Sequence, residues 1–127
     1  MKVVSAALLV TVTVALGGCA HKAHISKETE CLPSAVEEEL RTIDAQFGKV
    51  HIVSTYRPGA KIAGTNITSY HAYCRAVDFN VRGNGAQQRA ASYLRASWEG
   101  GFGTYSSKMH HLHIDNGSRR RWQTHVR

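Results

Sequence analysis

The chain has 127 residues, enough for one domain. Apolar residues make up 43% of it and charged residues 20%, globular proportions that argue against a disordered, collagenous or coiled-coil chain, and three cysteines are too few for a disulfide-built miniprotein. Sixteen Lys and Arg against nine Asp and Glu give a formal charge of +7, which suits an anionic partner: nucleic acid, a membrane surface or an acidic wall polymer.

Residues 1–19 read MKVVSAALLVTVTVALGGC. Lys2 is followed by an uncharged run over 3–16, shorter than the ~20 apolar residues of a bilayer-spanning helix. A charged start, a short apolar middle and small residues after it describe a secretory signal. A buried core helix is the competing reading, but polar sequence follows at once. The ending Leu16-Gly17-Gly18-Cys19 resembles the lipobox of bacterial lipoproteins. That resemblance implies a lipid on Cys19, which becomes the mature N-terminus and holds the protein on a membrane without crossing it. Ala20 rather than Asp follows, which by the same resemblance implies a bacterial envelope protein on the outer membrane, facing the periplasm. The expected division is a leader over 1–18, a polar tether over 19–30 and one domain over 31–127.

Leu32-Pro33-Ser34 opens the first element of that domain. Pro and Ser favour a helix start, and Glu37, Glu38 and Glu39 suit its first turns. Val36, Leu40, Ile43 and Phe47 share one helical face, and Gly48 stops the helix. Alternation predicts a strand over 49–56, ended by Arg57-Pro58-Gly59, and then a loop over 60–68. Residues 76–82 alternate again, with Val77, Phe79 and Val81 on one face and Asp78 and Asn80 on the other. After the turn at 83–85, residues 86–96 read as a helix with Ala86, Ala90, Tyr93 and Leu94 inward. Gly100-Gly101-Phe102-Gly103 reads as a turn into a short strand. A last strand covers 111–115, with Leu112 and Ile114 on one face and His111, His113 and Asp115 on the other. Short connections between the late strands require antiparallel pairing, so the expected class is α+β, a small mainly antiparallel sheet with helices on one face.

Eight histidines are a surplus for this length. His21, His24, His51 and His125 read as solvent-exposed. The others gather chemistry. Asp78 and His113 each lie opposite an apolar strand face; if their strands are neighbours, the two side chains come about 5 Å apart. His71, seven residues before Asp78, can be brought back by a tight turn. Two imidazoles and a carboxylate suit Zn²⁺ with a fourth position open. A hydrogen-bonded His–Asp pair without metal is the alternative that spacing leaves standing.

Ser69-x-His71-x-x-Cys74-x-Ala76-x-Asp78 resembles the Ser-x-His-x-x-Gly-x-Ala-x-Asp motif of the zinc D-alanyl-D-alanine carboxypeptidase family, which shares its fold with the hedgehog signalling domain. Ser54-Thr55-Tyr56-Arg57 is similar to the family's Ser-x-Tyr-Arg segment. Gly101-Phe102-Gly103 with Tyr105, then His113-x-Asp115-x-Gly117 with Arg121-Trp122, is similar to the ending of its small single-domain members. The resemblance implies that His71, Asp78 and His113 hold zinc, which lowers the pKa of bound water to around 7 for attack on a peptide carbonyl. It implies that Arg57 holds a terminal carboxylate or the developing oxyanion, that Ser69 lines the substrate cleft, and that His111 is an auxiliary active-site residue. Asp115 could orient a ligand histidine.

Two positions depart from the family pattern. Cys74 replaces the motif glycine. With Cys19 assigned to lipid, Cys31 and Cys74 are an even pair in an oxidising compartment, so they form either a disulfide or two buried thiols. At the place where many members carry an Asp or Glu as general base, this chain has His110, so the proton carrier is His110 or, by strand alternation, His111. The expected function is hydrolysis of peptidoglycan stem peptides at D-alanine-containing bonds by a lipid-anchored monomer. The alternative is a non-catalytic zinc-containing domain that binds wall peptides. A nucleic-acid partner rests only on Arg119-Arg120-Arg121 and net charge, and is not expected for a secreted lipoprotein.

Overall fold

The computed structural model describes residues 28–105 and 110–124. The expected leader, Cys19 and the tether up to residue 27 lie outside them, as do residues 106–109 and 125–127, and with them His21, His24 and His125. Among the described residues no helix is long and apolar enough to cross a membrane.

Helix α1 (Ser34–Gln46) starts where the Pro33 carbonyl accepts the amides of Val36 and Glu37. Its inward residues Val36, Leu40 and Ile43 are wholly buried. Phe47 sits one residue past the end, its amide on the Ile43 carbonyl and its ring 5.1 Å from that of Tyr93. Strand β1 (Lys49–Ser54) follows, tied to the helix by the Val50 amide on Asp44 Oδ1 at 2.8 Å. Strand β2 (Ala76–Arg82) leads into helix α2 (Ala86–Ser97), whose Ala86, Ala90 and Leu94 are wholly buried. Tyr93, expected inward, is only partly buried and packs at the rim. Strands β3 (Gly101–Tyr105), β4 (Leu112–Asp115) and β5 (Arg120–Thr124) complete the sheet.

The strand order is β1-β2-β4-β3-β5. The first three pairings are antiparallel and β3–β5 is parallel. This is the expected α+β arrangement, with three differences. The glycines at 101 and 103 are already in a strand rather than a turn. A fifth strand, Arg120–Thr124, extends the sheet. And β1 ends at Ser54, with a register shift between Ile52 and Ser54.

One sheet face is apolar. Val50, Val77, Phe79, Val81, Phe102, Leu112 and Ile114 meet α1 and α2 there. Each fully buried side chain of Leu or Phe size contributes about 1.5–3 kcal/mol. The other face carries Asp78, His113 and Asp115, and these are buried as well. Their cover is the segment between β1 and β2, which contains a short 3₁₀ turn, Tyr70–Tyr73. A disulfide joins Cys31, just before α1, to Cys74 at the end of that turn, with Cα atoms 5.8 Å apart.

Candidate metal centre

Asp78 and His113 are directly opposite each other in the β2–β4 register, on the face away from the helices. His71 comes from the 3₁₀ turn. The Ser69 hydroxyl accepts the His71 amide at 3.3 Å and so caps the turn, and the His71 carbonyl accepts the Arg57 amide at 2.9 Å. His71 Nε2, Asp78 Oδ1 and His113 Nδ1 converge. The edges of their triangle are 3.2 Å (His71–Asp78), 2.8 Å (His113–Asp78) and 3.3 Å (His71–His113). A tetrahedral ion with bonds of about 2.0–2.2 Å separates its ligand atoms by roughly 3.3–3.5 Å, so small outward shifts fit this triangle to zinc.

The far nitrogen of each ring settles which atom faces the centre. His71 Nδ1 donates to the Thr55 carbonyl at 2.6 Å, which leaves Nε2 as a lone pair. His113 Nε2 donates to Asp115 Oδ2 at 3.0 Å, which leaves Nδ1 as a lone pair. Two neutral imidazoles and a carboxylate thus turn three lone pairs on one point. These repel unless a proton or a cation lies among them. Asp115 is in turn fixed by the Gly117 amide on Oδ1 at 2.8 Å and by Arg120 on Oδ2 at 2.6 Å. The Trp122 ring lies 5.2 Å from that of His113. Gly103, paired with both His113 and Trp122, is required there, because a Cβ would overlap the indole.

Electrostatics agree with this arrangement. Burial pushes the Asp78 carboxyl up, but hydrogen bonds from His113 and His71 and their charge outweigh it and hold Asp78 far below the usual carboxylate range. Burial pushes His113 down, but its hydrogen bonds to Asp115 and Asp78 outweigh that, and its pKa is raised. Asp115, pushed up by burial, is brought lower by His113, the Gly117 amide and Arg120.

The remaining candidates are placed as follows. Arg57 stands at the rim, its side chain half exposed and 3.6 Å from Asp78 Oδ2. His111 is buried, its Nε2 is 3.7 Å from Asp78 Oδ1, and its ring stacks on Tyr105 at 4.5 Å. His110 is exposed and adopts a φ of 29°, with its carbonyl bonded to Gln87 on α2. Sequence reasoning did not single out the Thr55 carbonyl or Arg120. The first is a backbone atom in a loop, which no residue type announces. The second stood inside an arginine run that looked uniform. Its neighbours act elsewhere: Arg121 binds the carbonyls of Arg95, Trp98 and Gly100, and Arg119 binds that of Ala96.

A sheet-borne His–Asp–His triangle with outer hydrogen bonds on both histidines is the make-up of a mononuclear metallohydrolase centre. A family model described as Peptidase M15 matches residues 2–115, and the chain belongs to that family of zinc-dependent D-Ala-D-Ala carboxypeptidase type. No curated protein and no solved structure matches the chain. Membership supports zinc-dependent peptidase activity, and His71, Asp78 and His113 are the group that could hold the ion.

Proposed function

We propose that this protein hydrolyses peptidoglycan stem peptides at D-alanine-containing amide bonds, with zinc held by His71, Asp78 and His113. The convergence of three acceptor atoms, each histidine fixed from behind, carries this proposal. Zinc, when bound, supplies Lewis acidity and water acidified to a pKa of around 7. The protein's own residues do the rest. Ser69 and the Thr55 carbonyl orient His71, and Asp115 orients His113. Once Asp78 turns to the metal, the half-exposed fork of Arg57 is available to a substrate carboxylate or a developing oxyanion. His111 is the proton carrier. Among the described residues Asp78 and Asp115 are the buried carboxylates, and both are already engaged, whereas His111 stands beside the cluster and His110 faces solvent.

The envelope setting, anchored through a lipid on Cys19, is part of the same proposal. It is supported by the leader pattern and by the +7 charge, which favours anionic wall polymers. A second reading, a wall-peptide binder without turnover, is favoured by one observation: no carboxylate stands at position 110. Zinc-loaded protein incubated with muropeptides and followed by mass spectrometry separates the two. Loss of a terminal residue or a split stem is expected, with His111→Ala about 100-fold slower at unchanged zinc content and His110→Ala less affected. Binding without any product would establish the binder instead.

A further inference from the structure

We propose that the Cys31–Cys74 disulfide is a positioning device for the metal centre: it holds residue 74 in the left-handed conformation that closes the His71 turn. This rests on the metal-site reading above. Cys74 has φ 51° and ψ 41°, and among the described residues it shares a positive φ only with His110 and five glycines. A side chain with a Cβ pays for that conformation, so something must over-determine it. Local bonds are few. The Cys74 amide reaches the His71 carbonyl at 3.4 Å, a long contact, and the Arg75 amide reaches the Tyr70 carbonyl at 3.0 Å. A four-residue 3₁₀ turn has little cooperativity of its own. The disulfide adds a covalent constraint at the strained residue itself and fastens it to the start of α1, the helix anchored in the core by Val36, Leu40 and Ile43.

The consequence reaches the metal within three residues. If residue 74 relaxes to a right-handed or extended conformation, the 70–75 bond opens. The 71–74 segment then loses the geometry that keeps His71 Nδ1 on Thr55 and Nε2 on the triangle. Asp78 and His113 do not depend on this turn, because the β2–β4 pairing holds them. The bridge therefore acts on one ligand of three. Cys31 is exposed while Cys74 is buried, so an external thiol would meet the bridge at Cys31. Reduction would thus loosen the metal centre without unpairing the sheet.

Two double variants in the full chain separate the bridge from the backbone conformation. Cys31→Ala/Cys74→Ala lacks the bridge and keeps a Cβ at 74. Cys31→Ala/Cys74→Gly lacks the bridge, but glycine adopts the left-handed region freely. Both lose the same loop constraint, so a merely structural role would affect them alike. Zinc affinity, measured by chelator competition, is expected to fall about tenfold in the Ala variant, the scale of a left-handed penalty, and to return to near the oxidised wild-type value in the Gly variant. Amide hydrogen exchange of Cys74 and Arg75 in the metal-free proteins should follow the same order, faster with Ala and protected with Gly. Equal exchange and equal affinity in the two variants would overturn the proposal. Absence of zinc binding by oxidised wild type would overturn the metal-site reading instead, and the exchange comparison would still decide what the bridge does.

Discussion

Asp115 lies behind the metal triangle, yet it decides how His113 presents itself. Its carboxylate is 1% exposed and receives three donors: His113 Nε2, the Gly117 amide and Arg120. The charge on Asp115 keeps the proton on Nε2 and makes Nδ1 the better donor to a cation. Asp115→Asn preserves the shape and removes the charge. Zinc affinity is expected to fall about 10–100-fold, the usual cost of losing such an outer partner. Chelator competition measures it. Unchanged affinity would mean that packing against Trp122 orients the ring unaided. The His71–Asp78–His113 set was visible in the sequence because strand alternation and the family motif pointed to the same atoms. What held the histidines from behind was less visible. Asp115 could be suspected from its place two residues after His113, whereas the Thr55 carbonyl has no side chain to betray it.

The elements that fold according to alternation were the ones that could be read. Val77, Phe79 and Val81 in β2, and Leu112 and Ile114 in β4, bury one face against the helices, so their period-2 pattern survives in the sequence. Strand β5 has no such pattern. Its sequence RRWQT is paired by its backbone to β3, and its arginines are committed to other partners. Nor did β3 look like a strand, because Gly101 and Gly103 are turn formers; here the glycines make room for Asp115 and Trp122. Arg121 joins β5 to α2. Its guanidinium binds the carbonyls of Arg95, Trp98 and Gly100, at and just beyond the C-terminal end of the helix, where cations are favourable. Arg121→Ala is expected to destabilise the fold by about 1–3 kcal/mol through unpaired, partly buried carbonyls. Arg121→Lys should restore little, since one ammonium cannot serve all three. Urea unfolding compares them. A fully stable Lys variant would show that charge alone matters there.

At the scale of the whole molecule, metal and protons compete for the same acceptors, and stability should depend on pH in opposite ways with and without zinc. In the metal-free protein Asp78 and Asp115 have pKa values below the ordinary 3.8. Their stabilisation is present above that value and is lost as pH falls through the lower folded value. His113 is raised above the ordinary 6.5, so its contribution is present below 6.5 and is lost as pH rises through the higher folded value. The metal-free protein should therefore be most stable between about pH 4 and 6.5. Zinc needs His71 and His113 as neutral donors, so its affinity grows as the proton on His113 is released. Saturation at about 100 times the dissociation constant adds about 2.7 kcal/mol, and at fixed total zinc that gain increases with pH. Thermal unfolding from pH 5 to 8, with a chelator or with equimolar zinc, should give falling midpoints in the first series and a widening gap to the second. A zinc-induced shift of constant size over that range would show that no proton is displaced from the triangle. His113 would then be neutral at its site in the metal-free protein, and the three facing lone pairs would need another explanation, such as an ordered water.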